Sequence, residues 1–409
     1  MSGKECIAQL GGWEGYTVGA ADRLEERQGR RAEVWIELHP VADGRMVCTG
    51  CGRAVEQVHE VTERWVRDLP VWGADTRLLV QRRRVLCARC GPKLEALSWL
   101  GPYSRVTRRL AESVARLCRV LPVKHVAEFF GLGWDTVKAI DKAHLDESLG
   151  PVDLSGIEAI VMDEFAIQKG HRYATVVVEA STKRVLWVGR GRRREDVRPF
   201  FELLGEEGCR RLKAVAMDMN ASYELEVRQY CPQAQIVYDL FHVVAKYGRE
   251  VIDRVRVDEA NRLRDDPKSR KVVKGARWLL LRNRETIRSE DEVTLRELLA
   301  ANRALCTVYV LKEDLKGLWN YRHPGYALRS WKAWYQRAVR SRIAPLRTFA
   351  QRLKPYLPGI LAHCRWRLHT SLLEGINNKI KVIKRMAYGF RDDEYFFLKI
   401  RAAFPGNPG

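Results

Sequence analysis

Two adjacent carboxylates stand inside an apolar run, Ile160-Val161-Met162-Asp163-Glu164-Phe165-Ala166, and this placement restricts the possible folds more than any other feature of the chain. The run has strand character. Two more strand-like runs follow, Arg172 to Glu179 and Arg184 to Val188, rich in Val, Thr and aromatics and separated by Lys169-Gly170 and Ser181-Thr182. Together they predict an antiparallel meander. Side chains alternate across a sheet, so Val161, Asp163 and Phe165 share one face while Met162 and Glu164 share the other. Only one of the two acids can serve a given site. A carboxylate in a central strand costs several kcal/mol to desolvate unless a cation, a metal or hydrogen bonds compensate it, so Asp163 requires a partner.

A fourth apolar run, Lys213 to Met217, ends in Asp218, and Asn220 and an amphipathic segment from Tyr223 to Tyr230 follow it with helical spacing. Open α/β sheets place ligands outside the ends of their strands, so Asp163 and Asp218 on neighbouring strands can converge on one hard cation. A third acid lies far downstream, in a segment from Ser371 to Arg385 that reads as a helix despite Gly375. There Leu373, Ile376, Ile380 and Ile383 fall on one face, and Glu374, Asn378, Lys381 and Arg385 on the other. The apolar back is expected to dock on the sheet. The front offers one carboxylate for a metal and a basic row for a phosphate backbone, the equipment of two-metal phosphodiester chemistry.

The runs from Val161 to Gly191, Val215 to Tyr223, Val237 to Gly248 and His363 to Pro408 resemble the DDE transposases of bacterial insertion sequences, specifically the ISL-three family. The resemblance covers nearly the whole chain. It implies an α/β, RNase H-like mixed sheet in which the acid of the first strand, the acid after the fourth and the Glu of a late helix form a metal-binding triad. Those positions are Asp163, Asp218 and Glu374, expected to hold two Mg²⁺ (or Mn²⁺) ions. The implied activity is binding of an element's terminal inverted repeats, cleavage at its ends and attack of the freed 3′ hydroxyl on target DNA. Joining two ends implies at least a homodimer on double-stranded DNA. Tyr238-Asp239-Leu-Phe-His242 resembles the D-x-x-H signature of transposases with helical insertions, which would bring His242 to the active site. The residues alone also allow an ordinary helix cap at Asp239. The alternatives are a DNA-binding regulator derived from such a transposase, and another RNase H-like nuclease acting on structured DNA.

The cysteines carry a separate signal. Cys48-Thr-Gly-Cys51 and Cys87-Ala-Arg-Cys90 are two C-x-x-C knuckles, each followed by a glycine, with strand-like segments from Val61 to Arg67 and Arg77 to Leu86 between them. This spacing predicts one structural Zn²⁺ held by four thiolates. The remaining cysteines are isolated and read as small apolar residues.

Lys and Arg outnumber Asp and Glu by 72 to 51, a formal net charge of +21, and the stretch 77–124 contains only Glu95 and Glu112 as acids. Such a clustered excess favours nucleic acid as a partner. The run Arg82-Arg83-Arg84 is expected to face it. From Val106 to Arg119, Val123 to Phe130 and Trp134 to His144 the pattern is helical, with Gly131-Leu132-Gly133 as a turn, which describes a helix-turn-helix. Thr136 and Lys138 then lie at the amino end of the recognition helix. Between Val243 and Arg365 the sequence is helical, charged and Trp-rich, far too long for a loop. The expected organisation is a β-rich zinc module over 1–97, a helix-turn-helix over 98–150, a catalytic fold over 151–242 and 366–409, and an all-α insertion over 243–365. With no apolar run of membrane-spanning length and no signal-peptide region, the expected location is the cytoplasm, on the nucleoid.

Overall fold

The computed structural model describes residues 3–26, 31–42, 44–168, 170, 172–282, 286–368 and 371–407, excepting the side chains of 371–373. They form two compact units: Met1–Gly150 with Met386–Tyr388, and Pro151–Arg385 with Gly389–Gly409.

The first unit opens with helix α1 (Gly3–Gly11) and strands β1 (Tyr16–Leu24) and β2 (Glu33–Pro40). A short hairpin, β3 (Met46–Val47) and β4 (Ala54–Val55), precedes the long strands β5 (Val58–Val71) and β6 (Ala74–Cys87), and β7 (Gly91–Leu94) closes the series. The five-stranded sheet has the order β1-β2-β6-β5 with β7 paired to β6. Its core joins Tyr16, Val34, Ile36, Leu38, Leu78 and Val80, alternate residues of amphipathic strands, to Trp13 and Leu100 outside them. Trp72 and Gly73, with φ of 50° and 76°, turn β5 into β6; two positive φ values match the right-handed twist of a hairpin.

Three helices follow: α2 (Arg108–Cys118), α3 (Val123–Phe130) and α4 (Trp134–Leu149). Thr107 caps α2 by accepting from Leu110 N, and Gly131 ends α3 in the left-handed region at φ 58°. Their own small core is Val106, Leu110, Val114, Val126, Phe130 and Val137. Buried Asp68 of β5 accepts from Trp13 Nε1 at 2.9 Å, Thr107 Oγ1 at 2.6 Å and Arg109 Nε at 2.7 Å. One desolvated carboxylate thereby links the sheet to the first helix, and its donors satisfy it.

In the second unit the strands β8 (Ala159–Gln168), β9 (Arg172–Glu179), β10 (Val185–Arg190), β11 (Ala214–Met217) and β12 (Gln235–Tyr238) form a sheet of order β10-β9-β8-β11-β12. The first three are the expected antiparallel meander, and β11 and β12 join in parallel. The turn residue Lys169 lies outside the described residues. This is the anticipated RNase H-like mixed sheet. Helices α5 (Arg194–Arg211), α6 (Ala221–Tyr230) and α7 (Leu240–Tyr247) accompany the strands. Pro199 and Gly205, at φ 70°, interrupt the helical pattern of α5.

The insertion is all-helical, as expected: α8 (Asp253–Arg262), α9 (Pro267–Gly275), α10 (Arg277–Leu281), α11 (Ser289–Ala301), α12 (Arg303–Gly317), α13 (Pro324–Arg340), α14 (Ala344–Leu353) and α15 (Leu357–Ala362). Its Val308, Trp331, Trp334 and Phe349 share one continuous core with Met162, Val215 and Met217 on one sheet face. Helices α16 (Ser371–Met386) and α17 (Asp393–Ala403) complete the chain. Ile376, Ile380, Phe396 and Ile400 from these two pack on the other face, against Val161, Phe165, Val176 and Ala216. No helix among the described residues is long and apolar enough to cross a membrane.

Candidate active site

Strand register brings the first two acids together. β8 and β11 pair one for one, Ala159 with Ala214, Ile160 with Val215 and Val161 with Ala216. Two residues further along, this register sets Asp163 of β8 beside Asp218, the residue that follows β11. Asp163 is buried; its Oδ1 accepts from Glu164 N at 2.8 Å and its Oδ2 from Asn377 Nδ2 at 2.7 Å. Asp218 is half-buried, and its Oδ1 is buried with no hydrogen-bond partner. Burial, opposed by these hydrogen bonds and by His242, raises the proton affinity of Asp163 above the usual carboxylate range. Asp218 is pushed up to about 6, first by burial, with Asp163 and Glu164 adding and His242 opposing. Two crowded carboxylates, one with an orphaned oxygen, form a site electrostatically short of positive charge. Glu164, on the opposite face as alternation requires, instead accepts from Arg192 Nη1 at 2.7 Å, and that guanidinium lies 4.1 Å from the centre of the Tyr173 ring.

A cleft of about 590 Å³ opens beside Asp163, lined by Glu374, Asn377, Asn378 and Lys381 of α16 and by His242. Helical periodicity sorts α16 as anticipated. Glu374, Asn378, Lys381 and Arg385 are exposed, Ile376 and Ile380 are buried and Ile383 is half-buried; the Leu373 side chain lies outside the described residues. Glu374 reaches the cleft without closing on the aspartates. Among the described residues, only the four cysteines of the knuckles bring three or more ligand-type atoms within 4.8 Å of one another. Asn377 was missed by the sequence reading, which sorted only the two extreme faces; its position three residues beyond Glu374 is the signal that places it in the same row. The insertion also contributes Lys316, Trp319 and Asn320 to the cleft, a role its sequence does not disclose.

Gly375, beside Glu374, is exposed, and a Cβ there would meet nothing within 4 Å. Gly375→Ala is therefore expected to stabilise the protein by about 0.5–1 kcal/mol through helix propensity. Thermal unfolding checks this, and a loss of stability would mean that the glycine is required for a conformation other than this helix.

Asp239 both caps α7 and touches His242. Its Oδ1 caps α7 by accepting from Phe241 N at 3.0 Å, and its Oδ2 lies 2.8 Å from His242 Nδ1. The hydrogen bond to Asp239 raises the His242 proton affinity, Asp163 and Asp218 add to it, and burial opposes it. With Nδ1 held by Asp239, Nε2 is the ring nitrogen left for the cleft that His242 lines.

The knuckles gather as their spacing requires. Cys48, Cys51, Cys87 and Cys90 place their sulfurs within 4.8 Å of one another. Gly52 and Gly91, each following the second cysteine of its knuckle, adopt φ of 71° and 68°. That left-handed step is open to glycine at no steric cost and turns the backbone around the sulfurs. Backbone N–H groups of Cys90 and Arg89 pull the Cys87 thiol down to about 7, toward the thiolate that zinc takes. A donor set of four clustered sulfurs fits a tetrahedral structural zinc.

A model of the DDE transposases of the ISL3 (ISL-three) family, described as a transposase, matches residues 160–400, more than half of the chain. The chain belongs to the ISL3 family of transposases. Two shorter models agree: the helix-turn-helix domain of transposase family ISL3 matches residues 95–145, and the zinc-finger of transposase IS204/IS1001/IS1096/IS1165 matches residues 44–90. The transposase for insertion sequence element IS1001 of Bordetella parapertussis is 56% identical over 408 residues, covering 100% of both chains. The transposase for insertion sequence element IS1557 of Mycobacterium tuberculosis (strain CDC 1551 / Oshkosh) is 28% identical over 397 residues, covering 90% of this chain and 88% of its own.

In this ISL3-family protein the expected DNA-contact residues are not all placed alike. Thr136 is exposed in the first turn of α4, and Lys138 Nζ lies 5.7 Å from the centre of the exposed Trp134 ring. The expectation that Arg82, Arg83 and Arg84 all face a partner is corrected. Arg82 is buried and donates to Glu95 O at 3.1 Å, while buried Arg83 forms a two-pronged pair with Glu95, at 2.9 Å from Nε and 2.6 Å from Nη2. Both guanidiniums are committed to Glu95. Arg84 alone of the three is not buried, and it pairs with Glu60 at 3.1 Å.

Proposed function

We propose that this transposase binds the terminal inverted repeats of its own element and carries out two phosphodiester steps with Asp163, Asp218 and Glu374 as ligands of Mg²⁺ or Mn²⁺. In the first step water attacks the phosphorus at the element's end, and the bond to the 3′ oxygen breaks to leave a 3′ hydroxyl. In the second, that hydroxyl attacks a target phosphodiester and displaces the target's own 3′ oxygen. One phosphodiester forms for each target bond broken, so the joining step needs no external energy source. Divalent cations, when bound, activate the attacking oxygen and offset charge on the phosphate. Lys381 and Arg385 along α16 supply positive charge to the DNA backbone, Asn378 supplies hydrogen bonds, and His242 Nε2 donates to the scissile phosphate. Zinc holds the amino-terminal knuckles, and α4 reads base edges through Thr136 and Lys138. Two ends are brought together by at least two subunits.

The observation that carries this reading is the strand register that brings Asp218, one oxygen orphaned, beside Asp163, which lines a cleft together with Glu374. The test is incubation of the zinc-loaded protein with duplexes carrying the element's ends, with Mg²⁺, scoring freed 3′ hydroxyls and products joined to a second duplex. Binding without either product would favour the regulator. In the same assay Lys138→Ala and Thr136→Ala are expected to weaken end binding about ten-fold, at ~1–3 kcal/mol per base contact, and random-duplex binding much less. Arg84→Ala is expected to weaken both equally. Equal losses on both duplexes for Lys138→Ala would make α4 a packing helix.

A further inference from the structure

Asp163 offers only acceptors when ionised, so the Asn377 group 2.7 Å from it is the amide NH₂. That assignment leaves Asn377 Oδ1 outside the hydrogen bond to Asp163. Oδ1 is buried and has no hydrogen-bond partner. A carbonyl oxygen so placed is unfavourable unless a donor or a cation completes it. A second orphan, Asp218 Oδ1, belongs to the residue that directly follows β11, the strand next to that of Asp163. Two unsatisfied oxygens thus belong to the neighbours of one buried carboxylate, one from the end of β11 and one from α16, and Asp163, Asn377 and Glu374 line the same cleft. Hard divalent cations accept amide carbonyl oxygens alongside carboxylates.

We propose that Asn377 Oδ1 is a further ligand oxygen of the cation held at Asp163, while its Nδ2 orients that carboxylate. The inference rests on the triad reading above and extends it by one neutral ligand. Asn377 also explains why Asp163 is tolerated in the buried centre of the sheet before any cation arrives: its NH₂ is a donor that does not compete as a charge.

The test is titration of the zinc-loaded full-length protein with Mn²⁺ in the absence of DNA, followed by calorimetry and by the electron paramagnetic resonance of free Mn²⁺. Thermal melts of each variant check folding. Asn377→Ala is expected to weaken Mn²⁺ binding about ten-fold or more. Asn377→Asp keeps an oxygen in place, adds charge and loses the donor to Asp163; it is expected to bind Mn²⁺ at least as tightly as the unaltered protein and to melt lower only without the ion. Equal weakening by both variants would show that Asn377 acts solely by orienting Asp163, and the ligand assignment would be overturned. Unchanged binding in both, with binding lost in Asp163→Asn, would also overturn it while leaving the triad intact. Unchanged binding in Asp163→Asn as well would remove the triad reading on which the proposal stands.

Discussion

Asp218→Asn is expected to lower Mg²⁺-dependent end cleavage by roughly 10³-fold or more, because loss of a charged ligand forfeits several kcal/mol of transition-state stabilisation. Asp163→Asn and Glu374→Gln are expected to do the same, and all three should bind end duplexes nearly as well as the unaltered protein. The stability of the Asp218 variant should move the opposite way. The Asp218 carboxyl binds its proton more tightly in the folded protein, at about 6, than its ordinary value of 3.8. An acid raised in this sense costs stability once ionised, so the cost grows as pH rises from about 4 to about 6 and stays constant above. Metal-free Asp218→Asn should therefore be more stable at pH 7 than the parent, by at most about 3 kcal/mol, with the difference vanishing near pH 4. Mg²⁺ should raise the melting temperature of the parent and not of the variant. Substantial cleavage by any of the three neutral variants, at the same metal concentration, would remove that residue from the site. In His242→Ala, loss of cleavage with retained folding and end binding would make the histidine an auxiliary catalytic group, and wild-type rates would reduce Asp239-x-x-His242 to a cap.

Removal of zinc should have the second large effect. One Zn²⁺ per chain is expected in protein purified without chelator, and its extraction, or Cys87→Ser, should unfold the knuckles. The buried residues around them are few, Met46, Cys48, Val85 and Cys87, too small a cluster to fold unaided. Structural zinc contributes about 10–16 kcal/mol in small peptides, so its loss here cannot be made up locally. The five-stranded sheet keeps a separate apolar core on Leu38, Leu78 and Val80. Hydrogen exchange should accordingly rise in the β3–β4 hairpin and around β7 and remain slow in the centre of β6. Protein with no zinc, or knuckles that stay protected after chelation, would end the assignment.

Much of the candidate site was legible because its elements are locally coded. Alternation within Ile160 to Ala166 assigned Asp163 and Glu164 to opposite faces, and the structure keeps them there, one against Asn377 and the other against Arg192. Helical period sorted α16 into its buried isoleucines and its exposed polar row, and cysteine spacing identified four sulfurs that converge. The misjudged residues are those whose partners are set by tertiary packing. Arg82 and Arg83 look like a polyanion-binding run until β6 and the segment after β7 bring Glu95 against them, and a buried, doubly bonded guanidinium is no longer free for phosphate. Asn377 sits 214 residues from Asp163, so no local period announces their hydrogen bond. The helical insertion could be recognised from length and composition. Its fusion with the sheet's core, and its gift of Trp319 and Lys316 to the cleft, arise because apolar surface is buried wherever packing permits, without regard to distance along the chain. Sequence by itself determined which face each residue presents; the tertiary structure decided what each face meets, since periodicity is a property of neighbours in the chain and contact is a property of neighbours in space.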